Sequence, residues 1–460
     1  MTKTQTHASW EGLLVERNER YLDELLDLLR IPSVSTDPAR TPDVARAAEW
    51  VVERLQRAGV TDIGYLPTGG HPIVRGVWRA GDDRPTVLIY GHYDVQPAEP
   101  LDLWQTPPFE PTIRDGKLYA RGAADMKGNL LATIQAAETL AANGGLPVNL
   151  IFLFEGEEEI GSPRLPAVVA AHRDDLAADV VVSADGGMKG QQTPSLTVAL
   201  KGVAACQIDL RTGTSDLHSG GFGAFSPNAV QVMSQLAATF HTLDGRVAVE
   251  GFYHQVRELT AEDRQEFAAA GISDDELRAL AGVDALWGEV GFSAAERQGA
   301  RPTLDLNGIW GGFQGEGVKT VIPCEAHLKI TCRLVADQDP AAIVPLIERH
   351  VARHCPPGAT ATVTKHSASA KPFLLSRDDP ALQKAKTVLR DLYGKEPIIV
   401  RGGGSVPITE VFQRELGRDT VSLGWGMPDS RAHAPNEWYG VEDFAIARRA
   451  YCAFFEALGE

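Results

Sequence analysis

The sequence predicts an α/β fold, a mostly parallel sheet flanked by helices, with an inserted α+β module. Three observations carry this. First, short unbroken apolar runs, Val87-Leu88-Ile89-Tyr90, Leu150-Ile151-Phe152-Leu153-Phe154 and Val180-Val181-Val182, alternate with helical segments, as strands buried on both faces do. Second, from Val203 to Leu210 and from Ala326 to Leu334 apolar and polar residues alternate, the pattern of half-exposed antiparallel strands. Third, the parallel character returns after Asp379-Pro380. A chain of 460 residues is also too long for one ordinary domain. The expected partition is residues 1–201 with 379–460 for the α/β domain and 202–378 for the insert.

The elements follow in order. Leu13, Leu14, Tyr21, Leu25, Leu28 and Leu29 recur at helical spacing from Trp10 to Leu29, and Ile31-Pro32 stops that helix. Thr41-Pro42 opens a second helix with Val44, Trp50, Val51 and Leu55 on one side. Ile73 to Trp78 and Val87 to Tyr90 read as strands. Leu101 to Leu118, rich in Trp, Pro and Phe, reads as a packed loop with a short strand, and the Ala-rich stretch Asn129 to Ala142 as a helix. In the insert, helices are expected near Pro227 to Phe240, over Ala261 to Ala270 and Asp274 to Leu280, and from Pro340 to His350, where Asp339-Pro340 forms a capped start. Thr360 to Thr364 closes the insert as a strand. Leu382 to Leu392 is then a helix, Ile398 to Val400 and Thr420 to Leu423 strands, and Glu442 to Leu458 a last helix.

Bulk properties narrow the function. The formal net charge is −17 and the sequence pI about 5.2, which argues against binding nucleic acid or anionic membrane. No secretory signal and no apolar run of membrane-spanning length is visible. The five cysteines show no Cys-x-x-Cys spacing, so neither a disulfide framework nor a cysteine zinc site is expected. A cytoplasmic setting follows.

The chemistry lies where apolar runs stop. The first breaks at Gly91-His92-Tyr93-Asp94, the second at Glu155-Gly156-Glu157-Glu158-Glu159, the third at Ser183-Ala184-Asp185, and the Thr420 strand is followed by a loop carrying His433. Asp125 stands just before the Ala-rich helix. In open α/β sheets ligands bind beyond the carboxyl ends of strands. Each piece alone has an ordinary reading: a packing histidine, a solvated acidic helix start, an Asp-Gly turn. Together, two imidazoles and three carboxylates suit a pair of divalent ions, zinc first and manganese or cobalt as alternatives.

Eight stretches, in order across nearly the whole chain, carry a family resemblance: Gly-His-Tyr-Asp-Val-Gln-Pro (91–97), Arg-Gly-Ala-Ala-Asp-Met-Lys-Gly (121–128), Glu-Gly-Glu-Glu-Glu-Ile-Gly-Ser (155–162), Ser-Ala-Asp-Gly (183–186), Asp-Leu-His-Ser-Gly (216–220), Lys-Thr-Val-Ile-Pro (319–323), Gly-Gly-Gly-Ser-Val-Pro (402–407) and Ala-His-Ala-Pro-Asn-Glu (432–437). With them the sequence resembles the carnosinase, aminoacylase and carboxypeptidase G superfamily of two-metal exopeptidases, and most of all its bacterial carnosinase-like dipeptidases.

The resemblance implies that His92 and Asp185 hold one ion, Glu159 and His433 the other, and that Asp125 bridges them. Asp94 would orient His92, and Glu158 would be the general base. A cis peptide is implied after Asp125, where Met126 stands in place of a second Asp common in relatives. The insert becomes a lid and dimerisation domain. His218 would serve the partner subunit's site in a homodimer, and Arg333 would grip the substrate carboxylate, with Thr320, Asn307, Gly404 and Ser405 completing the pocket. His327 and His366 are read as structural. The expected activity is hydrolysis of dipeptides or very short peptides. N-acyl-amino-acid deacylation, carboxypeptidase action on longer peptides, and a catalytically silent binding protein are the alternatives.

Overall fold

The computed structural model describes residues 9–270, 273–402 and 407–460. They form two compact units. One runs to Val198 and resumes at Leu375–Ile399 and Pro407–Glu460; the other is Ala199–Leu374 together with residues 400–402.

In the first unit six strands stand in the order Asp62–Leu66, Ile73–Trp78, Asn149–Glu155, Thr86–His92, Val180–Ser183, Thr420–Ser422. The last four are mutually parallel, and Ile73–Trp78 runs against both its neighbours. The apolar runs explain the order: Val87 to Tyr90 and Leu150 to Phe154 are buried, so they take the middle of the sheet. Helix Gly128–Ala142 is buried nearly all round and packs on Val441–Gly459, which accounts for its small side chains. Helix Thr41–Ala58 has Pro in its first turn and ends on Gly59 at φ +111°, where a side chain would be strained. The stretch from Trp10 to Leu29, read as one helix, is two. Trp10–Glu16 and Asn18–Leu29 part at Arg17, whose φ of −93° and ψ of 2° are not helical. The loop before the Ala-rich helix carries a hairpin, Thr112–Arg114 with Lys117–Tyr119, and Trp438–Gly440 pairs onto it antiparallel.

The second unit is a four-stranded antiparallel sheet in the order Thr303–Gly311, Glu325–Leu334, Gly202–Arg211, Thr360–Ala370. One face packs Ile208, Leu210, Leu328 and Ile330 against Met233 and Ile347 from helices Ala229–Ala238 and Pro340–His354. The edge strand Thr303–Gly311 escaped the sequence reading for a physical reason. Its register shifts between Leu306 and Gly308, leaving Asn307 as the extra residue of a bulge and breaking the two-residue alternation. On the polar face His327 stacks on Trp310 with ring centroids 4.8 Å apart and meets Asp209 at 2.6 Å.

Candidate metal centre

Four parallel strands end at one edge of the first sheet and deliver the acidic and imidazole side chains there. His92 is the last residue of its strand and lies in register with Glu155, the last of the next. Glu158 and Glu159 follow in a tight turn closed by Gly161 at φ +86°. Asp185 follows Ser183, and the loop after Thr420–Ser422 carries His433. Two triads result. The ligand atoms of His92, Asp125 and Asp185 all lie within 4.8 Å of one another, as do those of Asp125, Glu159 and His433. Asp125 belongs to both.

The imidazoles are aimed by their second nitrogens. His92 Nδ1 donates to the Asp94 backbone carbonyl at 3.0 Å, with Asp94 Oδ1 at 3.4 Å. That leaves Nε2, 3.2 Å from Asp125 Oδ1, as the ligand atom. His433 Nε2 stands 2.8 Å from Asp125 Oδ2 and 3.2 Å from Glu159 Oε2. His433 has φ +61°, and Arg431 and Asn436 are also left-handed, at +60° and +64°. Such backbone in residues other than glycine is held by its surroundings and gathers at functional sites. Here Asn436 does the holding: its side chain accepts from Gln105 N and donates to the Leu103 carbonyl, both at 2.8 Å.

The acidic turn is pinned along its length. The Asp94 carboxylate, besides lying near His92, accepts from the backbone N–H of Glu158 at 3.3 Å and of Glu159 at 3.1 Å. Glu155 accepts the hydroxyls of Tyr90 and Ser162 at 2.7 and 2.8 Å, and Glu157 accepts from His71 N and Arg164. Gln96 holds the Glu159 carboxylate through its backbone N–H at 3.1 Å and its side-chain amide at 2.8 Å. Among the described residues the Glu158 carboxylate takes no hydrogen bond.

Charge crowding tests the donor set. Burial, then the neighbouring Asp125 and Glu159 carboxylates, push the Asp185 carboxyl up to about 6. Burial, with Asp185, Glu159 and Asp125, pushes Glu158 up to about 8 against the opposing pull of His92. His433 is raised to about 10 by its hydrogen bonds to Asp125 and Glu159. Burial opposes charge on His92, but Asp125 and Asp94 hold its pKa well above the ordinary value. Several carboxylates driven together in a buried place are what divalent cations relieve, and the mixed nitrogen and oxygen donors fit borderline ions such as zinc. The Asp125–Met126 peptide is cis. Met126 itself is fully buried, with its sulfur 3.2 Å from His92 N. It supports the end of the His92 strand from behind.

The remaining expected site residues that the structure describes lie in the second unit. His218 is exposed, and its Nδ1 accepts from Gly220 N at 3.0 Å, so Nε2 carries the proton. Thr320 is brought beside it, since Ser219 N donates to the Thr320 carbonyl at 3.1 Å. Arg333, in register with Thr303, and the bulged Asn307 lie on other strands of the four-stranded sheet. Gly404 and Ser405 fall outside the described residues. The sequence reading gave no role to Gln96, Glu155, Arg121 or Glu437, all of which touch ligand-bearing segments. The signal available was position: each is a polar residue inside one of the eight stretches that carry the family resemblance.

Comparison with known proteins identifies the family. The chain is 32% identical to the Cys-Gly metallodipeptidase dug1 of Schizosaccharomyces pombe over 96% of either chain. It is 30% identical to the cysteinylglycine-S-conjugate dipeptidase of Corynebacterium striatum, over 98% of this chain and 99% of that one. The solved structure of an M20 family metallo-carboxypeptidase from Sulfolobus solfataricus superposes with a TM-score of 0.81 at 32% identity, covering 95% of this chain and 99% of that one. The model of peptidase family M20/M25/M40 matches residues 88–457, and the chain belongs to that family.

Proposed function

We propose that the chain is a metal-dependent dipeptidase holding two divalent ions, zinc first, with His92 and Asp185 on one, Glu159 and His433 on the other, and Asp125 between. The observation that carries this is the pair of triads sharing Asp125 beside a Glu158 carboxylate with no hydrogen-bond partner among the described residues. Bound divalent ions supply Lewis acidity toward the scissile carbonyl and acidify the attacking water. Glu158 would take a proton from the attacking water and hand it to the leaving amine. Asp94 keeps His92 in one tautomer and, through two backbone N–H groups, keeps Glu158 in place. Arg333 offers a fork of donors for the substrate carboxylate, with Thr320, Asn307, Gly404 and Ser405 around it. In a homodimer, His218 with its Nε2–H stabilises the oxyanion at the partner's site. Unpaired cysteines and the absence, among the described residues, of a helix able to cross a membrane support a cytoplasmic setting.

Glu158→Gln tests the assignment. Turnover is expected to fall by about 10²–10⁴-fold with both ions retained by metal analysis; a near-normal rate removes Glu158 from the role. The likeness to a metallo-carboxypeptidase structure favours a second reading, trimming of longer peptides. A panel of free dipeptides, C-terminally amidated peptides, longer peptides and N-acetyl amino acids, assayed with zinc, manganese and cobalt separately, decides between dipeptidase, carboxypeptidase and deacylase. A chain that hydrolyses none of them with any metal is a binding protein on this fold.

A further inference from the structure

We infer that Glu437 is a positioning residue of the metal centre: its carboxylate sets the backbone that presents Asp125 and anchors the segment that presents His433. The inference rests on the two-ion reading above.

Glu437 has 0% of its surface exposed. Its Oε1 accepts from the backbone N–H of Ala124 at 2.9 Å and of Asp125 at 3.1 Å. Its Oε2 accepts from Gly122 N at 2.9 Å and from Arg121 Nη1 at 2.7 Å. A turn whose successive N–H groups converge is an anion-binding concavity, and here the chain fills it with its own carboxylate. Gly122, at φ +82°, makes the concavity possible; a Cβ there would lie 2.5 Å from Val95. The main chain follows suit, since the Glu437 carbonyl accepts from Ala120 N at 3.2 Å. Arg121 extends the same knot to a third segment by donating from Nη2 to the Pro97 carbonyl at 3.0 Å, just past His92 and Asp94. Glu437 lies four residues beyond His433. One buried carboxylate therefore fixes Asp125 and His433, two members of the triad completed by Glu159.

An alternative role is plain charge pairing with Arg121, and the two roles separate in a mutant set. Arg121→Met, Glu437→Met and the double substitution are made in the full chain. Zinc uptake is measured by equilibrium dialysis without substrate, and the melting temperature of the metal-free protein is recorded. Glu437→Met strands a buried guanidinium, so both melting temperature and zinc affinity fall. The double substitution removes that stranded charge and recovers melting temperature. If Glu437 positions the Asp125 turn, zinc affinity in the double substitution stays lowered by about 10–100-fold, the weaker of the two ions being lost first, while Arg121→Met alone loses less. If affinity returns to normal together with melting temperature, Glu437 is only the partner of Arg121 and the inference is overturned. Should Glu437→Met not fold, Glu437→Gln keeps one acceptor oxygen, is expected to lose affinity by a smaller factor, and overturns the inference if it loses none. Wild-type protein that takes up no zinc overturns the two-ion reading as well; wild type with two ions and an unaltered Glu437→Met overturns this inference alone.

Discussion

His350 shows how far a single buried ring is moved by its surroundings. Burial, and then the positive charge of His354 and Arg353, lower its pKa from 6.5 to about 4. It stacks on Phe240 with centroids 4.8 Å apart and meets Thr239 Oγ1 at 2.8 Å. That hydroxyl already donates to the Leu236 carbonyl, so His350 Nε2–H is the donor and the ring is neutral in the fold. Below pH 6.5 the unfolded chain takes up a proton that the folded chain refuses. Stability is therefore lost as pH falls from about 6.5 toward 4, by at most about 1.4 kcal/mol per pH unit for one proton. Denaturant melts of wild type and His350→Phe across that window are expected to diverge in slope, wild type being the steeper; parallel curves overturn the assignment. Residue by residue, legibility followed the motifs. His92 and Asp185 stand out in sequence because each follows an apolar run, and Asp125 because it precedes a helix; Glu159 and His433 lie in loops beyond their strands and are singled out by the family resemblance. Glu437 and Gln96 do not, because what they hold is backbone or another side chain brought in by the fold.

Helices of the first unit are joined by a buried ionic knot around Arg54. Its Nε donates to Glu24 at 2.8 Å and an Nη to Glu138, linking Asn18–Leu29, Thr41–Ala58 and Gly128–Ala142. Arg54 is fully buried, so truncating it removes the central cation and leaves Glu24 with Arg20 at 3.5 Å and Glu138 with Arg20 and Arg17. Arg54→Met is expected to cost about 1.5–3 kcal/mol in urea unfolding; a loss below about 1 kcal/mol means Arg17 and Arg20 take over the two carboxylates. Elements were readable where one rule governed them. Leu150 to Phe154 is apolar throughout and became a central strand. The helices with Pro in their first turns started where that residue allows. The bulged strand Thr303–Gly311 and the divided N-terminal helix obey two rules in succession, and a single period does not describe either.

For the molecule as a whole, the proposed homodimer needs an apolar surface on the second unit. Phe225 and Val318 stand 73% and 95% exposed there, near His218 and Thr320 in sequence, and the Phe225 ring lies tilted against Phe222 with centroids 5.7 Å apart. Exposed apolar side chains of this size, where they form one patch, mark association surfaces. Phe225→Asp is expected to shift sedimentation from dimer to monomer and to lower turnover, since His218 then has no second site to serve. A variant that still sediments as a dimer moves the interface elsewhere. The change from unbroken to alternating apolar runs after Lys201-Gly202 is what leads the sequence reading to expect a second unit. The grouping of residues 400–402 with the second unit was not legible, because the four-residue strand Ile398–Arg401 carries no sign of which unit it joins.

The strands Val180–Ser183 and Thr420–Ser422 lie side by side although a whole folding unit separates them along the chain. During synthesis, then, His92, Asp125, Glu159 and Asp185 all emerge from the ribosome long before His433. A nascent polypeptide therefore lacks the last of the side chains proposed to hold the ions until residue 433 has been made.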